Sequence, residues 1–364
     1  MRKLLEPLIE SEAFQGLLAR PGPVRVDPAG HAYALAALAE ALEGPVLAVT
    51  GGPRESAPLA REVAAYLGAD RAAHLPAWEA LPVEGISPSP ETSARRHAAI
   101  RRGREARGAF VLVAPAVAVV QRLLPQVGMI EPLVVEPGDE LAPDALAEAL
   151  VALGYTRADL VTHRGEFAVR GGIVDLFPGA APRPVRIELY GDEVESLREF
   201  SASTQTSTAS LPRIEADPVR ELLPTPEVME RAKQAVPRHK DRFRDAVDRL
   251  AQGLLFEGME QADPLIFEDL PFVRDRLPGE AWVAVAAPRM AEERAESARR
   301  ECEALADALG WRGAETMAAA GEALAGMTRV DLSEFTEGVD LGIEGWGPSL
   351  GDPSRVASRA ASLA

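Results

Sequence analysis

The spacing of apolar residues predicts alternating strands and helices in the first third of the chain. An apolar run at residues 46–50 is bounded by glycine and proline, which is typical of a buried strand, and helical periodicity flanks it at residues 31–43 and 54–67. A second buried strand is predicted at residues 110–114, followed by a helix over residues 117–124. Because strands and helices alternate, the pattern indicates a parallel sheet with crossover helices.

The pattern changes near residue 133. Residues 143–153 predict a short amphipathic helix, and the apolar period becomes two between Arg164 and Phe200. Apolar and polar positions alternate over residues 185–190, as in a half-buried antiparallel strand. Gly191-Asp192 then predicts a two-residue hairpin turn into the strand 193–200. This segment is predicted to form a small α+β unit.

Helical periodicity resumes after Pro218, with a charged helix predicted at residues 238–253, a buried strand at 282–287 and a long helix at 289–309. Since strand–helix patterns precede and follow the α+β unit, we expect that unit to be inserted into one discontinuous α/β domain. The predicted domains are a first part of the α/β domain at 1–132, the insert at 133–216, a second part of the α/β domain at 217–335, and a linker or the start of another domain at 336–364.

The amino-acid composition argues against several classes of function. The chain has 364 residues and 47% hydrophobic residues, and its net charge of −17 argues against a main role in gripping phosphate backbones. The single cysteine, Cys302, excludes a disulfide framework and a cysteine-based structural zinc site. No metal and no cofactor are expected. No apolar run is long enough to span a bilayer and no signal peptide is visible, so we expect a cytoplasmic protein with no membrane partner.

The glycine-rich turn after residue 50 departs from a working phosphate loop. That loop has the pattern G-x-x-x-x-G-K-[ST], whereas this chain reads G-G-P-R-E-S at residues 51–56. The lysine is missing, Pro53 removes an amide donor, and Glu55 places negative charge where a phosphate would lie. A structural turn is favoured, and a nucleotide site is the alternative.

Two further segments allow both a structural and a functional interpretation. Residues 95–107 contain six arginines at different angles around a helix and no aromatic residue for base stacking, so a solvated or salt-bridged face is favoured over a nucleic-acid stripe. The proline-framed turn 76–82, with Trp78 and Glu79, is interpreted as a loop packed over the sheet edge rather than as a ligand pocket.

The period-two segment carries the strongest binding signal. Alternation places Arg186 and Tyr190 on one face of a strand, about 13 Å apart. An arginine–aromatic face is typical of protein interfaces, and an ordinary solvated sheet face is the alternative. No nucleophile elbow, G-x-S-x-G, occurs in the sequence, and no catalytic residue is predicted.

Two stretches of this segment resemble a known module. Residues 166–178, E-F-A-V-R-G-G-I-V-D-L-F-P, and 184–200, P-V-R-I-E-L-Y-G-D-E-V-E-S-L-R-E-F, closely resemble the module shared by UvrB and the bacterial transcription-repair coupling factors. The match continues at Thr204-Gln205 and at 222–224. The degenerate phosphate loop, the 75–96 stretch with its Trp-Glu pair, and G-M-E at 258–260 favour the UvrB-homology region of the coupling factors over UvrB itself.

The resemblance implies a fold and a partner. It implies a degenerate helicase-like parallel-sheet domain of the P-loop NTPase type, discontinuous and without ATPase activity, carrying an inserted α+β domain with an antiparallel sheet. In that family the insert binds UvrA and links stalled RNA polymerase to nucleotide excision repair. The UvrA-facing positions of the family correspond to Arg170, Arg186 and Tyr190, whereas Thr206 stands where the family usually has arginine.

The sequence therefore leaves one leading hypothesis for the function and two alternatives. The leading hypothesis is a non-catalytic UvrA-recruiting module. RNA polymerase and double-stranded DNA would then be bound only through domains absent from this chain, which we expect to be an N-terminal fragment. The alternatives are a UvrB-like ATP-dependent helicase lobe of an excision-repair complex and direct DNA binding through the arginines at 95–107.

Overall fold

The computed structural model describes residues 2–236, 242–310, 316–335 and 338–343. These residues divide into two compact units. The first unit takes the described residues up to 77, those at 99–123 and those from 271 onward, and the second takes residues 78–98 and the described residues of 124–270.

Strands and helices occur in both units. The strands in chain order are β1 Pro23–Arg25, β2 Pro45–Thr50, β3 Ala72–His74, β4 Phe110–Pro115, β5 Leu133–Val135, β6 Thr156–Arg157, β7 Glu166–Arg170, β8 Ile173–Leu176, β9 Val185–Tyr190, β10 Glu193–Phe200, β11 Ser207–Ser210, β12 Ile214–Ala216, β13 Trp282–Ala286, β14 Thr328–Ser333 and β15 Val339–Asp340. The helices are α1 Arg2–Ile9, α2 Glu12–Ala19, α3 His31–Leu42, α4 Pro53–Leu67, α5 Pro90–Glu105, α6 Ala116–Val120, α7 Pro143–Ala152, α8 Pro226–Ala235, α9 Arg242–Ala251, α10 Asp263–Ile266, α11 Pro288–Ala308 and α12 Ala320–Ala323.

The first unit is built on a seven-stranded sheet in the order β15-β1-β14-β13-β2-β4-β3. Each pairing between these strands is parallel. The central strands β2 and β4 are buried along almost their whole length, which is why they appear in the sequence as short continuous apolar runs. Helices α3 and α4 pack their apolar residues into the core beside them. The predicted parallel sheet with crossover helices is confirmed.

Two predicted helices and the predicted linker differ from the structure in extent. The helix expected at 117–124 ends at Val120, because Gln121 has extended backbone angles and forms an isolated bridge to Met317. The helix expected at 238–253 is described only from Arg242 to Ala251, since 237–241 lie outside the described residues. Strand β15 lies within 336–364, the range expected to be a linker or the start of another domain.

The second unit contains the antiparallel sheet that the alternating pattern predicts. Its six strands lie in the order β11-β10-β9-β8-β7-β6, and all neighbours except β6 and β7 are antiparallel. The hairpin turn at Gly191-Asp192 is confirmed, since Tyr190 pairs with Glu193. The predicted fold class, a parallel α/β sheet accompanied by a separate antiparallel sheet, is therefore confirmed. The predicted insert at 133–216 lies within this unit, and its boundaries stay a prediction.

A buried ion pair lies at the centre of the second unit. The side chains of Arg96 on α5 and Glu221 are both fully buried, with 2.5 Å between Arg96 Nε and Glu221 Oε1. The indole Nε1 of Trp78 donates a second hydrogen bond to the same oxygen at 2.8 Å. The turn 76–82 therefore places its tryptophan against a buried carboxylate, and the expectation that this loop packs over a sheet edge stays a prediction.

The six arginines at 95–107 do not share one environment. The expected surface ion pair is found at Arg95, which lies 2.6 Å from Glu91. Arg96 is buried, and Arg102 donates to the carbonyl oxygens of Ala69 and Ala72. The expected solvated or salt-bridged face therefore holds for Arg95 and for Arg104, which lies 2.6 Å from Glu105, but not for the buried Arg96, because adjacent positions point in directions about 100° apart.

His97 extends the buried cluster to the backbone. Its Nε2 donates to the carbonyl oxygen of Arg220 at 3.0 Å, and its Nδ1 accepts from the amide of Gly128 at 3.3 Å. Gly128 precedes the predicted insert and Arg220 follows it. The chain segments before and after the insert are thus bonded to the same histidine.

A second buried carboxylate, Glu260, binds the G-M-E motif to the loop before α5. Ser87 Oγ donates to Glu260 Oε2 at 2.5 Å and accepts from the amide of Gly258 at 2.8 Å. Burial raises the pKa of Glu260, while the hydrogen bond from Ser87 and the charge of Arg220 oppose that rise. The motifs at 78–89, 220–221 and 258–260 therefore form one polar cluster.

Loss of the Arg96 guanidinium should destabilise the chain strongly. The substitution Arg96→Met leaves Glu221 buried without its cation, so we expect the free energy of unfolding to fall by about 3–5 kcal/mol. The double variant Arg96→Met/Glu221→Leu removes both charges and should recover much of that loss. Urea unfolding followed by circular dichroism measures both effects.

The neighbouring residue offers the control. Arg95→Ala removes an exposed ion pair and should change the free energy of unfolding by about 1 kcal/mol or less. Equal losses for the variants at 95 and 96 would contradict the importance of the buried pair.

His31 should make the first unit sensitive to acid. Burial lowers its pKa from 6.5 to about 4, against the raising effect of Asp27, and the buried Nε2 has no hydrogen-bond partner among the described residues. Because the pKa of His31 is lower in the folded state than in the unfolded state, protonation of His31 favours unfolding. Its contribution to the free energy of unfolding is therefore fully present above pH 6.5 and is lost as the pH falls towards 4. The difference between the two pKa values corresponds to a loss of about 3 kcal/mol.

The substitution His31→Gln should remove that part of the pH dependence in urea unfolding between pH 7 and pH 4. The matched control is His163→Gln, because the side chain of His163 is exposed. A variant at position 31 that keeps the full acid sensitivity would refute the assignment.

Candidate partner-binding face

The antiparallel sheet has two chemically different faces. One face packs against α7 through Leu146 and Leu150 and forms the apolar core of the second unit. The other, which we name the polar face, is formed by alternate residues of β7–β10. Strand register assigns to it Ala168, Arg170, Ile173, Asp175, Arg186, Glu188, Tyr190, Ser196, Arg198 and Phe200.

Part of the polar face is covered by the chain itself. Val161, Ala168, Phe177 and Phe200 form a small apolar cluster that is separate from the main core. The turn after β10 is bonded to the same region, since Gln205 Nε2 donates to the carbonyl oxygen of Val161. The rest of the face, towards Arg170 and Tyr190, is more open.

Arg186 lies at the border of this apolar cluster. Its Nε and Nη2 donate to the two carboxylate oxygens of Asp175 at 2.7 and 2.9 Å, and its guanidinium lies 5.2 Å from the centre of the Phe200 ring. These hydrogen bonds raise the pKa of Arg186. The side chain of Arg186 is 18% exposed and that of Asp175 only 2%. One arginine of the face is thus held in place by a buried acid.

Arg170 is exposed at the end of β7. Its Nη2 donates to the carbonyl oxygen of Asp159 in the loop between β6 and β7. The next residue, Leu160, is an exposed apolar side chain. Arg170 therefore bonds a loop that exposes the apolar side chain of Leu160. The sequence analysis missed Leu160, because nothing in the local pattern links position 160 to position 170.

Tyr190 projects from the end of β9, with 82% of its surface exposed. The hairpin between β7 and β8 reaches the same strand end, because Leu189 N donates to the carbonyl oxygen of Gly172 at 2.7 Å. A Cβ atom on Gly172 would lie 2.7 Å from the carbonyl oxygen of Leu189. Only glycine allows this close approach.

Strand register brings the three predicted residues onto one surface. Arg170 pairs with Ile173, Ile173 pairs with Glu188, and Glu188 lies between Arg186 and Tyr190 on β9. From the usual strand spacing and rise, the Cα atoms of the three residues lie about 12–13 Å from one another. The arrangement has the size and chemistry of a protein-binding surface, with an exposed aromatic ring and two arginines.

The turn with the degenerate phosphate-loop sequence lies in the first unit, between β2 and α4. A Cβ atom on Gly51 would lie 2.8 Å from Met290 Cγ, so the methionine side chain is directly against this glycine. A Cβ atom on Gly52 would lie 3.2 Å from a carboxylate oxygen of Glu55. An apolar side chain and an acid therefore surround the turn where a phosphate loop would need amides and a lysine.

The described residues lack membrane-spanning helices and clusters of metal-ligating side chains. No helix within 2–236, 242–310, 316–335 and 338–343 is long and apolar enough to cross a membrane. In the same part of the chain, no three His, Cys, Asp or Glu side chains are grouped so that they could hold a metal ion.

Comparison with known proteins identifies relatives of both units. Residues 133–222 match the family model of the UvrB interaction domain, a range that contains the whole polar face. The chain is 37% identical over 315 residues to the transcription-repair-coupling factor of Mycobacterium bovis, which covers 80% of this chain and 25% of that protein. It is 32% identical over 270 residues to the factor of Myxococcus xanthus, covering 69% and 22%.

The Bacillus subtilis transcription-repair-coupling factor is 36% identical over 203 residues, which cover 55% of this chain and 17% of the factor. The chain thus spans about a quarter or less of the length of these relatives. The resemblance to the UvrB-homology region of the coupling factors is confirmed.

Proposed function

We propose that this chain, with its UvrB interaction domain and its similarity to transcription-repair-coupling factors, is the UvrA-recruiting region of such a factor. The polar face of β7–β10 would bind UvrA, with Tyr190 and Arg170 as exposed contacts and Arg186 beside them. The observation that carries the proposal is the position of these residues on one surface inside the matched domain.

The rest of the chain would act as a scaffold without ATPase activity. Met290 packs against Gly51, and Glu55 stands beside Gly52, so the turn places an apolar side chain and an acid where a phosphate would bind. Contacts with RNA polymerase and double-stranded DNA would belong to other parts of the longer factor. The cytoplasm, where transcription and repair meet in bacteria, is the proposed location.

Tyr190→Ala should weaken the binding of UvrA without affecting the fold. An exposed aromatic residue at the centre of an interface is a typical hot spot, and we expect the Kd to rise about 10- to 100-fold. Isothermal titration of UvrA with the wild-type chain and with the variant measures this change.

The matched control is Phe335→Ala, because Phe335 is an aromatic residue that is 92% exposed and lies outside the polar face. It should bind UvrA with the wild-type affinity. A wild-type chain that is folded and does not bind UvrA, or equal effects at 190 and 335, would count against the proposal.

MgATP should leave the stability of the chain unchanged. A ligand at a thousand times its Kd stabilises a folded protein by about 4 kcal/mol, so a micromolar site would be evident at millimolar nucleotide. Urea unfolding with and without MgATP tests this, with magnesium pyrophosphate as the control for ionic effects. A stabilisation specific to ATP would instead support a UvrB-like ATP-dependent helicase lobe.

A further inference from the structure

Asp175 is a buried acid on the polar face of the sheet. Strand register places it directly opposite Arg186, and each of its two oxygens accepts one hydrogen bond from that guanidinium. Burying a carboxylate so that it is 2% exposed costs free energy unless it is paired and hydrogen-bonded. Its position and its bonds therefore fix the plane of the Arg186 guanidinium.

Two other arginines in or next to strands β9 and β10 lie farther from their acidic partners than Arg186 lies from Asp175. Arg198 Nε lies 3.7 Å from a Glu188 oxygen, and Arg183 Nε lies 3.9 Å from a Glu199 oxygen. Both arginine side chains are about half exposed. Arg186, by contrast, has two short bonds to one acid and an aromatic ring beside it.

A fixed arginine suits an interface. Binding normally costs conformational entropy when a long side chain is immobilised, and a side chain held in advance avoids that cost. The planar guanidinium also keeps its direction when two of its donors are bonded to one carboxylate.

We propose that Asp175 is a positioning residue of the partner-binding face, which holds Arg186 in the orientation used to bind the partner. The inference rests on the proposed function, with UvrA as the partner. Asp175 itself is buried and would make no contact with UvrA.

This role changes how an arginine substitution would be interpreted. Arg186→Ala removes a guanidinium from the face and also leaves Asp175 buried without its cation. A loss of binding in that variant alone would not separate the two effects, so the test needs both residues.

The first arm reports on Arg186 without any partner. In the full chain labelled with ¹⁵N-arginine, the Arg186 Nε–H signal, assigned with Arg186→Lys, should exchange slowly with water because the proton is bonded to Asp175. Asp175→Ala should accelerate this exchange at least tenfold, and Asp175→Asn, which keeps one acceptor, should give an intermediate rate. A signal that stays protected in both variants would overturn the proposal.

The second arm is a double-mutant cycle on UvrA affinity. Asp175→Ala should weaken binding about tenfold in the wild-type background and have no further effect in the Arg186→Ala background, because Asp175 acts through Arg186. Equal losses in the two backgrounds would overturn the proposal, since they would show an effect on the fold alone. If Asp175→Ala does not fold, Asp175→Asn takes its place in the cycle.

Glu148→Ala is the charge control. It removes an exposed acid from α7, the helix that packs against the other face of the sheet. An equal loss of affinity in this variant would mean that the net charge of the chain is responsible and would overturn the positioning role. Failure of the wild-type chain to bind UvrA contradicts the proposed function, and the exchange arm still decides whether Asp175 holds Arg186.

Discussion

The second unit depends on one carboxylate that has no access to water. Glu221 is fully buried, and a buried charge is stable only with a close counter-ion and hydrogen bonds. Arg96 and Trp78 supply them from parts of the chain more than a hundred residues earlier. The adjacent residues continue the connection, because His97 bonds the carbonyl of Arg220 and the amide of Gly128. Arg96 and His97, two consecutive residues of α5, therefore bond the chain segments on both sides of the domain that carries the polar face.

The same physical rule operates at smaller scale on the polar face. Asp175 is buried there and is compensated by Arg186, which also lies beside the Phe200 ring. Since an apolar cluster covers part of the face, the pair is shielded from water on one side and close to solvent on the other. Buried acids thus bond residues that frame this domain and an arginine of its polar face.

Periodicity in the sequence was sufficient for the main elements and for the two faces of the sheet, because continuous apolar runs and strict alternation are local signals. It was not sufficient for strands of three residues such as β1 and β3, which are too short to show a period. Nor could it separate Arg95 from Arg96, because composition does not reveal which side of a helix meets a buried acid. The ion pair to Glu221 is a contact across 125 positions, and no local pattern encodes it.

The candidate site shows the same limit. Arg186 and Tyr190 could be placed on one face because they are two alternations apart on a single strand. The hairpin at Gly171-Gly172 is equally local and pairs Arg170 with Ile173. The pairing of Asp175 with Arg186 could not be predicted, because a loop of eight residues, 177–184, joins their strands and leaves the register open.

Because of the pairing between Asp175 and Arg186, the two proposed binding residues of β9 differ in exposure and in bonding. Tyr190 is almost fully exposed and free of the covering cluster, whereas Arg186 is mostly enclosed and already bonded. An interface gains most from aromatic rings that enter a partner's pocket and from polar groups that need no rearrangement on binding. Thr206, where the resemblance predicts arginine, donates from its hydroxyl to the carbonyl oxygen of Thr204 within its own turn. The cationic character of this face therefore depends on strand residues, whose directions the sheet fixes, more than on the turn after β10.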